Sequence, residues 1–369
     1  MKKMYLLIFS SLLFSGCSTE LPEAVTTTDN GRFWAFVDIP EVVEDSAELR
    51  LWVTLPPQHR GQVVTVNEIN PEPYEIVEDT LSGNRTVFWR VTDFKNKEEF
   101  SFYYDFTFTR SEVVTDVDPS NIEPYDTASE EFKRYTKSEP WIELTDEIKA
   151  KAKEVAGSET NPYNEARLIF DWVIANMLYK YPDVEERGAE KSFERLSGDC
   201  GEFSVVFCAM CRSLGIPART VTCTWLDQPG HQWAEILLPG YGWMPVDPSV
   251  AQIFAGLTTP PKSDLVLYYD AKYMGMPTKD YNYLFGNLYT ERLILSVGNN
   301  IEINHPELGI SRTFHFMQPG GLISYPLSIE TIGLPSKTTF SQAYVFGGKK
   351  SDVGYAKRQA KKYKAIIVE

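Results

Sequence analysis

One cysteine lies where a helix is expected to begin, a position that would make it reactive. Cys200 stands in the stretch SGDCGEFSVVFCAMCRSLGIPAR, directly after Gly198 and Asp199, and the apolar stripe of the following helix starts only at Phe203. Unpaired backbone N–H groups and the positive end of the helix dipole meet at such a position, and both lower the pKa of a thiol. The sequence therefore predicts that Cys200 is a primed nucleophile.

A thiolate nucleophile needs a base beside it and a third group that orients the base. Among the four histidines, His231 opens the strand HQWAEILL, and the chain turns back through PGYG into a second strand that carries Asp247. The two side chains share a face of this hairpin if the connecting loop has three or five residues, but not four. We expect His231 to be the base and Asp247 to accept a hydrogen bond from one imidazole nitrogen. The other histidines are expected to be surface or packing residues, namely His59, His305 and His315.

The other cysteines allow more than one interpretation. Cys208 and Cys211 follow on the same predicted helix, where Cys211 falls on the buried stripe, so both are expected to be small core residues. A zinc site with Cys200 fails on geometry, because eight helical residues separate two cysteines by about 12 Å and no further Cys or His cluster supplies ligands. A disulfide between Cys208 and Cys211, or between either and Cys223, stays open in an exported chain. No metal or cofactor site is assigned.

These segments resemble the core of the transglutaminase-like superfamily. The Gly-Asp-Cys start, the Gly-Ile-Pro-Ala-Arg helix exit, the His-x-Trp-Ala-Glu strand and the Gly-Trp-x-Pro-x-Asp-Pro strand occur in that order between Asn161 and Ser249. The resemblance implies a papain-like transglutaminase core within an α+β fold. It also implies that Cys200 is the nucleophile, His231 the base and later the acid, and Asp247 the orienting carboxylate.

The same resemblance implies an oxyanion hole and a set of scaffold residues. The backbone N–H of Cys200 would supply one donor, and Tyr179 or Tyr181 in NMLYKYPD the second. Four further residues match family positions and are assigned to the scaffold, namely Arg219, Trp233, Glu235 and Trp243. We expect Arg219 to pair with a carboxylate and the tryptophans to pack.

The hydrophobic pattern divides the chain into regions that would carry this core. From 30 to 115 it alternates with period two, as in AELRLWVTLP and SFYYDFTFTR, and predicts an N-terminal antiparallel β-sandwich. An acidic linker with prolines follows over 116–140, and the catalytic core is placed at 141–275. Additional C-terminal β-strands are expected over 276–369, including RLILSV; whether they form a separate domain stays open.

Within the core, helical periodicity and capping residues mark three helices. A weaker one is expected near Asp146–Val155. The next opens with Asn161 as N-cap and Pro162 in the first turn, and the last runs from about Cys200 to Leu214, ahead of a glycine and a proline. Strands follow at RTVTCTW, HQWAEILL and WMPVDP.

The first residues predict export to a cell envelope. Two lysines precede an apolar run from Tyr5 to Phe14, which is too short to span a bilayer and is typical of a signal peptide. LFSGC resembles the lipobox of bacterial lipoproteins, so residues 1–17 are interpreted as signal peptide and lipobox, with Cys17 lipidated. An ordinary secretory signal is the alternative, because Phe14 stands where leucine is usual. No other apolar run is long enough to span a membrane, so attachment would come from the lipid.

Composition and the predicted triad together limit the function. The chain has 36 basic and 51 acidic residues and a formal charge of -15, which argues against nucleic-acid binding. A Cys-His-Asp triad performs acyl transfer through a thioester. We therefore expect an enzyme of the cell envelope, acting on a protein or peptide substrate, that hydrolyses rather than cross-links peptide or isopeptide amides. The alternative is a catalytically silent, surface-anchored binding protein with the same fold.

Overall fold

The computed structural model describes residues 26–41, 46–94, 98–180, 186–225, 230–257, 271–272, 274–315, 327–361 and 365–366. The expected signal segment with Cys17, and also Tyr181, lie outside these ranges. The strands, numbered in chain order, are β1 (Thr26–Ile39), β2 (Glu48–Leu55), β3 (Gln62–Asn70), β4 (Glu75–Asp79), β5 (Asn84–Val91), β6 (Glu98–Ser111), β7 (Leu178–Tyr179), β8 (Ser197–Gly198), β9 (Ala218–Thr224), β10 (Gly230–Leu238), β11 (Gly242–Val246), β12 (Leu293–Val297), β13 (Asn300–His305), β14 (Ile310–His315), β15 (Leu327–Ile332), β16 (Thr339–Phe346) and β17 (Ala365–Ile366).

The helices are α1 (Glu130–Thr136), α2 (Asp146–Ala156), α3 (Pro162–Asn176), α4 (Ala189–Arg195), α5 (Cys200–Ser213), α6 (Pro248–Phe254) and α7 (Val353–Ala360). Short 3-10 helices occupy Pro119–Asn121, Tyr281–Leu284, Pro306–Leu308 and Gly347–Lys349. In the part of the chain that the structure describes, no helix combines the length and the apolarity that crossing a bilayer requires.

Two antiparallel sheets face each other as the expected sandwich. One has the strand order β17-β16-β1-β6-β3, and the other β15-β2-β5-β4. Alternate residues of β6 from Phe102 to Phe108 are at most 1% exposed, and they share a core with alternate residues of β2 from Leu49 to Leu55. Burial with period two is what a strand needs when one of its faces is covered by a second sheet.

The sandwich is assembled from both ends of the chain. β16 pairs with β1 in one sheet, and β15 pairs with β2 in the other. β12, which also follows residue 275, pairs with β9 in the core sheet. The predicted division between a core at 141–275 and a C-terminal region at 276–369 therefore does not match the strand pairing. Alternation shows that a segment is a strand, but it does not show which remote strand will pair with it.

The expected linker over 116–140 contains a helix that is fastened to the core. Ser129 caps α1 by accepting a hydrogen bond from the N–H of Phe132. Tyr135 of this helix is 2% exposed, and its ring meets that of Trp243 edge to face at a centroid distance of 5.0 Å. The helix is only two turns long, too short for its periodicity to stand out among the surrounding prolines and acidic residues.

A four-stranded sheet of order β11-β10-β9-β12 and the helices packed with it form the core of the second unit. α3 begins as predicted, with Asn161 capping it and Pro162 in its first turn. α5 lies at the centre, where every residue from Cys200 to Arg212 is buried. It ends just before Gly215, whose φ of 80° lies in the left-handed region that glycine adopts without strain.

Truncation of a C-terminal core residue tests the assembly of the sandwich. Phe340 of β16 is 5% exposed and belongs to the core between the two sheets. We expect Phe340→Ala to lower the free energy of unfolding by roughly 3–5 kcal/mol, because it leaves a cavity there. Urea denaturation measures the loss. Val63→Ala, at a side chain that is 63% exposed, is the control and should change stability by less than about 0.5 kcal/mol. Equal effects of the two changes would exclude β16 from the core.

Candidate active site

Cys200 is the first residue of α5, and the start of that helix is fixed by a capping box. Asp199 is the N-cap, and its Oδ1 accepts a hydrogen bond from the N–H of Gly201 at 2.9 Å. Glu202 completes the box, because its Oε2 accepts a hydrogen bond from the N–H of Asp199 at 3.1 Å. Such reciprocal bonds satisfy backbone donors that a helix start leaves unpaired. The thiol is thereby held at the first turn, where the sequence placed it.

The environment of that thiol differs from the prediction. Cys200 is 4% exposed, and burial raises the pKa of its thiol well above the usual value. Nearby carboxylates raise this pKa further, namely those of Asp199, Glu202 and Asp247, whereas the backbone N–H of Gln232 lowers it. The predicted lowering of the Cys200 pKa is therefore wrong for the resting structure. Loss of hydration and three negative charges outweigh the helix dipole.

His231 and Asp247 meet across the hairpin formed by β10 and β11. The last pair before the turn is Leu238 with Gly242, which leaves a loop of three residues, one of the lengths that place both side chains on one face. The Nε2 of His231 lies 2.7 Å from the Oδ2 of Asp247. Both residues are buried, at 3% and 2% exposure. The hydrogen bond expected from the hairpin register is therefore present.

Asp247 is held on both of its oxygens. As the N-cap of α6, its Oδ1 accepts from the N–H of Val250 at 3.2 Å and from the hydroxyl of Ser249 at 3.1 Å. Its Oδ2 also accepts a hydrogen bond from the hydroxyl of Tyr289 at 3.4 Å. Because a carboxylate oxygen accepts, Nε2 of His231 is the donor in this hydrogen bond, which favours the imidazole tautomer in which Nδ1 carries no proton.

The first turn of α5 is fastened to β10 beside the imidazole. The backbone N–H of Gln232 donates to the sulfur of Cys200. The hydroxyl of Ser204 lies 2.7 Å from the carbonyl oxygen of Cys200 and 3.2 Å from that of Gln232. Since Gln232 directly follows His231, the turn that carries the thiol and the strand that carries the imidazole are in contact. The structure therefore brings together the elements that hold Cys200, His231 and Asp247.

Two aromatic residues that contact His231 and Asp247 were not singled out from the sequence. Trp225 stacks on His231, with ring centroids 4.7 Å apart and an interplanar angle of 15°. Tyr289, described above as a donor to Asp247, comes from beyond the expected end of the core. The register of β9 and β10 could have indicated Trp225. Cys223 lies opposite His231, and Trp225 is two positions further along, on the same side of the strand. No local pattern marks Tyr289.

One of the two tyrosines proposed for the oxyanion hole can be placed. Tyr179 ends β7, which pairs in parallel with β8 just ahead of the start of α5. Its ring packs on Phe203 at a centroid distance of 6.0 Å, and its backbone N–H donates to the side chain of Gln252 at 3.1 Å. Tyr179 is thus held beside the first turn of α5 and is 9% exposed. Tyr181 lies outside the described residues.

The remaining cysteines are core residues. Cys208, Cys211 and Cys223 are free thiols and are fully buried in the same cluster as Trp233. The interpretation of Cys208 and Cys211 as core residues is confirmed, and the alternative of a disulfide is wrong. Over the described ranges, no group of three His, Cys, Asp or Glu side chains is arranged to hold a metal ion.

Arg219, Glu235 and His59 form a buried ion-pair cluster behind the site. Arg219 donates to one oxygen of Glu235 from Nε at 3.0 Å and from Nη2 at 2.9 Å. The Nε2 of His59 lies 3.0 Å from the other oxygen of Glu235, and the ring of Trp243 lies 3.8 Å from the Arg219 guanidinium carbon. The carboxylate partner expected for Arg219 is confirmed. His59, expected at a surface or in packing, reaches from the sandwich to the strand that carries His231.

The other two histidines belong to the hairpin of β13 and β14. His305 accepts a hydrogen bond from the indole N–H of Trp52 at 2.8 Å, and its Nδ1 lies 2.6 Å from Glu75. It is 1% exposed and contacts the sandwich, which agrees with the expected packing role. His315 pairs with Asn300 in the strand register.

The ion-pair cluster generates a prediction about pH. Burial alone would raise the pKa of Glu235, but His59 and Arg219 lower it from 4.5 to about 2. The cluster therefore contributes its stability fully above pH 4.5, and this contribution is lost as the pH falls toward 2. In the unaltered protein we expect this group to lower the free energy of unfolding by roughly 3 kcal/mol as the pH falls from 4.5 to about 2. Glu235→Gln should abolish this part of the pH dependence. Urea denaturation across this pH range measures it.

Glu302→Gln, at an exposed residue of β13, is the matched control and should keep the pH dependence of the unaltered protein. An unchanged pH dependence in Glu235→Gln would contradict the assignment of this acid sensitivity to the cluster.

Comparison with known proteins assigns the core to a class. Residues 149–248 match the model of the transglutaminase-like superfamily, a span close to that of the motifs quoted above. This part of the chain is therefore similar to transglutaminase-like domains. It contains Cys200, His231 and Asp247.

Three similarities extend beyond that domain. The chain is 26% identical over 266 residues to an uncharacterized protein of Haemophilus influenzae, covering 62% of this chain and 71% of the relative. A solved structure of a candidate cysteine protease from Cytophaga hutchinsonii aligns with a TM-score of 0.47 and 15% identity, covering 87% of this chain and 93% of that chain. The periplasmic domain of TgpA from Pseudomonas aeruginosa aligns with a TM-score of 0.33 and 14% identity, covering 64% and 90%.

Proposed function

We propose that the protein is a cysteine-dependent acyl-transfer enzyme that hydrolyses peptide or isopeptide amide bonds through a thioester. Cys200 is the nucleophile, His231 the base and later the acid, and Asp247 the group that orients the imidazole. The observation that carries this proposal is the 2.7 Å contact between His231 Nε2 and Asp247 Oδ2. It leaves Nδ1 as the basic nitrogen, on a strand whose next residue, Gln232, donates to the Cys200 sulfur.

In the first half of the reaction, His231 Nδ1 takes the thiol proton while the sulfur attacks the carbonyl carbon of the amide. Because burial keeps the resting thiol protonated, this transfer accompanies substrate binding and does not precede it. The backbone N–H of Cys200 and the hydroxyl of Tyr179 or Tyr181 bind the oxyanion that forms. His231 then gives the proton to the leaving nitrogen, the C–N bond breaks, and a thioester remains.

In the second half, water resolves the thioester. His231 takes a proton from water, the water oxygen attacks the thioester carbon, and the C–S bond breaks. The sulfur regains the proton, and the acid product leaves. An amine in place of water would cross-link two substrates. We propose hydrolysis because a transferase must exclude water from its thioester, whereas a hydrolase needs no such device.

One observation favours a second candidate function. Cys200 is only 4% exposed, and burial raises the pKa of its thiol. A buried, protonated thiol is also what a binding protein would have if it kept the fold as a scaffold and performed no chemistry. The two candidates differ in whether function is lost with the sulfur.

The test incubates the purified protein with a peptide library in water enriched in ¹⁸O and analyses the products by mass spectrometry. Hydrolysis places one ¹⁸O in each new carboxyl group, whereas cross-linking joins peptides without the label. We expect labelled products, no product from Cys200→Ala, and a loss in kcat on the order of 10⁴-fold for Asp247→Asn, in which the imidazole tautomer is no longer fixed.

Cys208→Ala changes a fully buried thiol of the same helix and is the control, with a rate within a few-fold of the unaltered protein. Undiminished product from Cys200→Ala would overturn the assignment of the nucleophile. No covalent change with the unaltered protein would support the binding candidate instead.

We also propose that the protein is exported and anchored at the cell envelope by lipid on Cys17. The support is the basic start, the short apolar run and the sequence LFSGC. Labelled palmitate should enter the unaltered protein and the Cys200→Ala control, but not Cys17→Ser. The Cys17→Ser protein should also move from the membrane fraction to the soluble fraction. An unlabelled, soluble, cleaved product from the unaltered chain would instead indicate an ordinary secretory signal.

A further inference from the structure

Two buried carboxylates flank the candidate nucleophile. Asp199 and Glu202 are both 0% exposed, and they stand one residue before and two residues after Cys200. They are there because the capping box needs their oxygens as acceptors. Negative charge beside a thiol opposes its ionisation, and both carboxylates raise the pKa of Cys200 in addition to the effect of burial. The cap that starts the helix therefore works against the reactivity of its first residue.

Arg187 reaches both carboxylates from outside the helix. Its Nη2 lies 2.9 Å from Asp199 Oδ2, and its Nη1 lies 3.2 Å from Asp199 Oδ1. The same Nη1 lies 2.9 and 2.8 Å from the two oxygens of Glu202. The guanidinium side chain is 5% exposed, and its two partners are at 1% and 0%. A planar, forked cation fits such a double contact, whereas the single ammonium of a lysine does not.

The charge of Arg187 is permanent. Burial lowers its pKa, but Asp199 and Glu202 raise it by more, so the net change is upward from an already high value. One permanent positive charge therefore lies against two buried carboxyl groups. Removal of one member of such a buried cluster leaves uncompensated charge in a low dielectric.

The backbone is shaped so that this cluster can form. A Cβ added at Gly198 would lie 2.2 Å from the Cβ of Glu202, which is closer than two such atoms approach. Glycine at this position lets Glu202 fold back over the N-cap, where Arg187 contacts it. The Gly-Asp-Cys sequence thus combines space for the carboxylate, the cap and the thiol in three consecutive residues.

We propose that Arg187 is a positioning residue for Cys200, holding Asp199 and Glu202 in the helix cap and offsetting their charge beside the sulfur. The proposal deepens the proposed function and rests on it, since it treats Cys200 as a nucleophile. Three carboxylates act on the sulfur, namely Asp199 and Glu202 at the start of α5 and Asp247 before α6. His231 lies on β10 directly before Gln232, whose N–H contacts the sulfur, and Arg187 contacts Asp199 and Glu202. Arg187 is the permanent cation of this set.

The test measures how the alkylation of Cys200 by iodoacetamide depends on pH in the full-length protein, with quantification of the Cys200 peptide by mass spectrometry. For Arg187→Gln we expect the midpoint to move to higher pH by about one pH unit or more, and the rate at pH 7 to fall by about tenfold or more. In turnover of substrate, Arg187→Gln should lower kcat and change KM little. Arg187→Lys should recover part of the rate, because it keeps the charge but loses the fork.

Arg212→Gln is the matched control. Arg212 makes a buried ion pair with Glu139 at 2.8 Å near the far end of α5, about 18 Å along the helix from Cys200. It should lower thermal stability in the way that Arg187→Gln does, but leave the alkylation midpoint unchanged. A stably folded Arg187→Gln protein with an unchanged midpoint would overturn the proposal.

A double variant keeps the test decisive if Arg187→Gln fails to fold. Arg187→Gln with Glu202→Gln removes one charge of each sign, so folding and the alkylation midpoint should both return toward those of the unaltered protein. A folded double variant whose midpoint is the same as that of Arg187→Gln, or no better folding than the single variant, would count against charge compensation. Because alkylation needs no substrate, a shifted midpoint in a protein without turnover would overturn the proposed function alone.

Discussion

The first turn of α5 is held from two sides at once. On one side, Arg187 binds the helix cap through Asp199 and Glu202. On the other side, Gln232 of β10 donates its N–H to the Cys200 sulfur and accepts a hydrogen bond from the hydroxyl of Ser204 in α5. The backbone of this turn cannot move away from the strand without breaking these bonds, because Asp199 and Glu202 are buried and held by Arg187. This restraint keeps the turn that carries Cys200 beside β10, and burial there raises the pKa of the thiol.

The depth of burial also explains why the predicted lowering of the Cys200 pKa was wrong, while the predicted contact between His231 and Asp247 is present. A Gly-Asp-Cys sequence shows that a helix starts there, and the alternation of HQWAEILL shows a strand; the three-residue turn then brings Asp247 to His231. Local sequence does not show how deeply a residue is buried or which carboxylates fold back over it. The sequence indicated the helix dipole that lowers the pKa of Cys200, but it did not indicate the burial that raises this pKa by more.

The residues that sequence reasoning missed are supplied by distant segments. Arg187, Trp225 and Tyr289 each come from a different part of the chain, and none of them lies in a motif of its own. They contact Asp199, His231 and Asp247, respectively. Strand positions were predicted well in the sandwich for the opposite reason, since alternation is a local property. β2 is instructive, because Trp52 on its second face is also buried, against Ile301 and Ile303 of the β13 and β14 hairpin. A one-sided strand was expected there, and a later hairpin covers the other side.

An ion pair also joins the sandwich to β10, the strand that carries His231. His59 comes from the loop between β2 and β3, and its partner Glu235 lies four residues beyond His231 on β10. His59 and Arg219 together offset the burial of this carboxyl group and lower its pKa. The sandwich therefore supports the core at the strand that bears the proposed base, and the two units share one electrostatic cluster.

The pairing of β1 with β16 has a consequence for biogenesis. The indole N–H of Trp34 donates to the carbonyl of Lys350, 316 positions further along the chain. Because the chain is synthesised from its amino terminus, β1 is made long before β16, the strand that pairs with it on this side. The core between them pairs mainly with segments closer in sequence. Until β16 is synthesised, the edge of β1 that it will occupy is open to pairing with other extended segments.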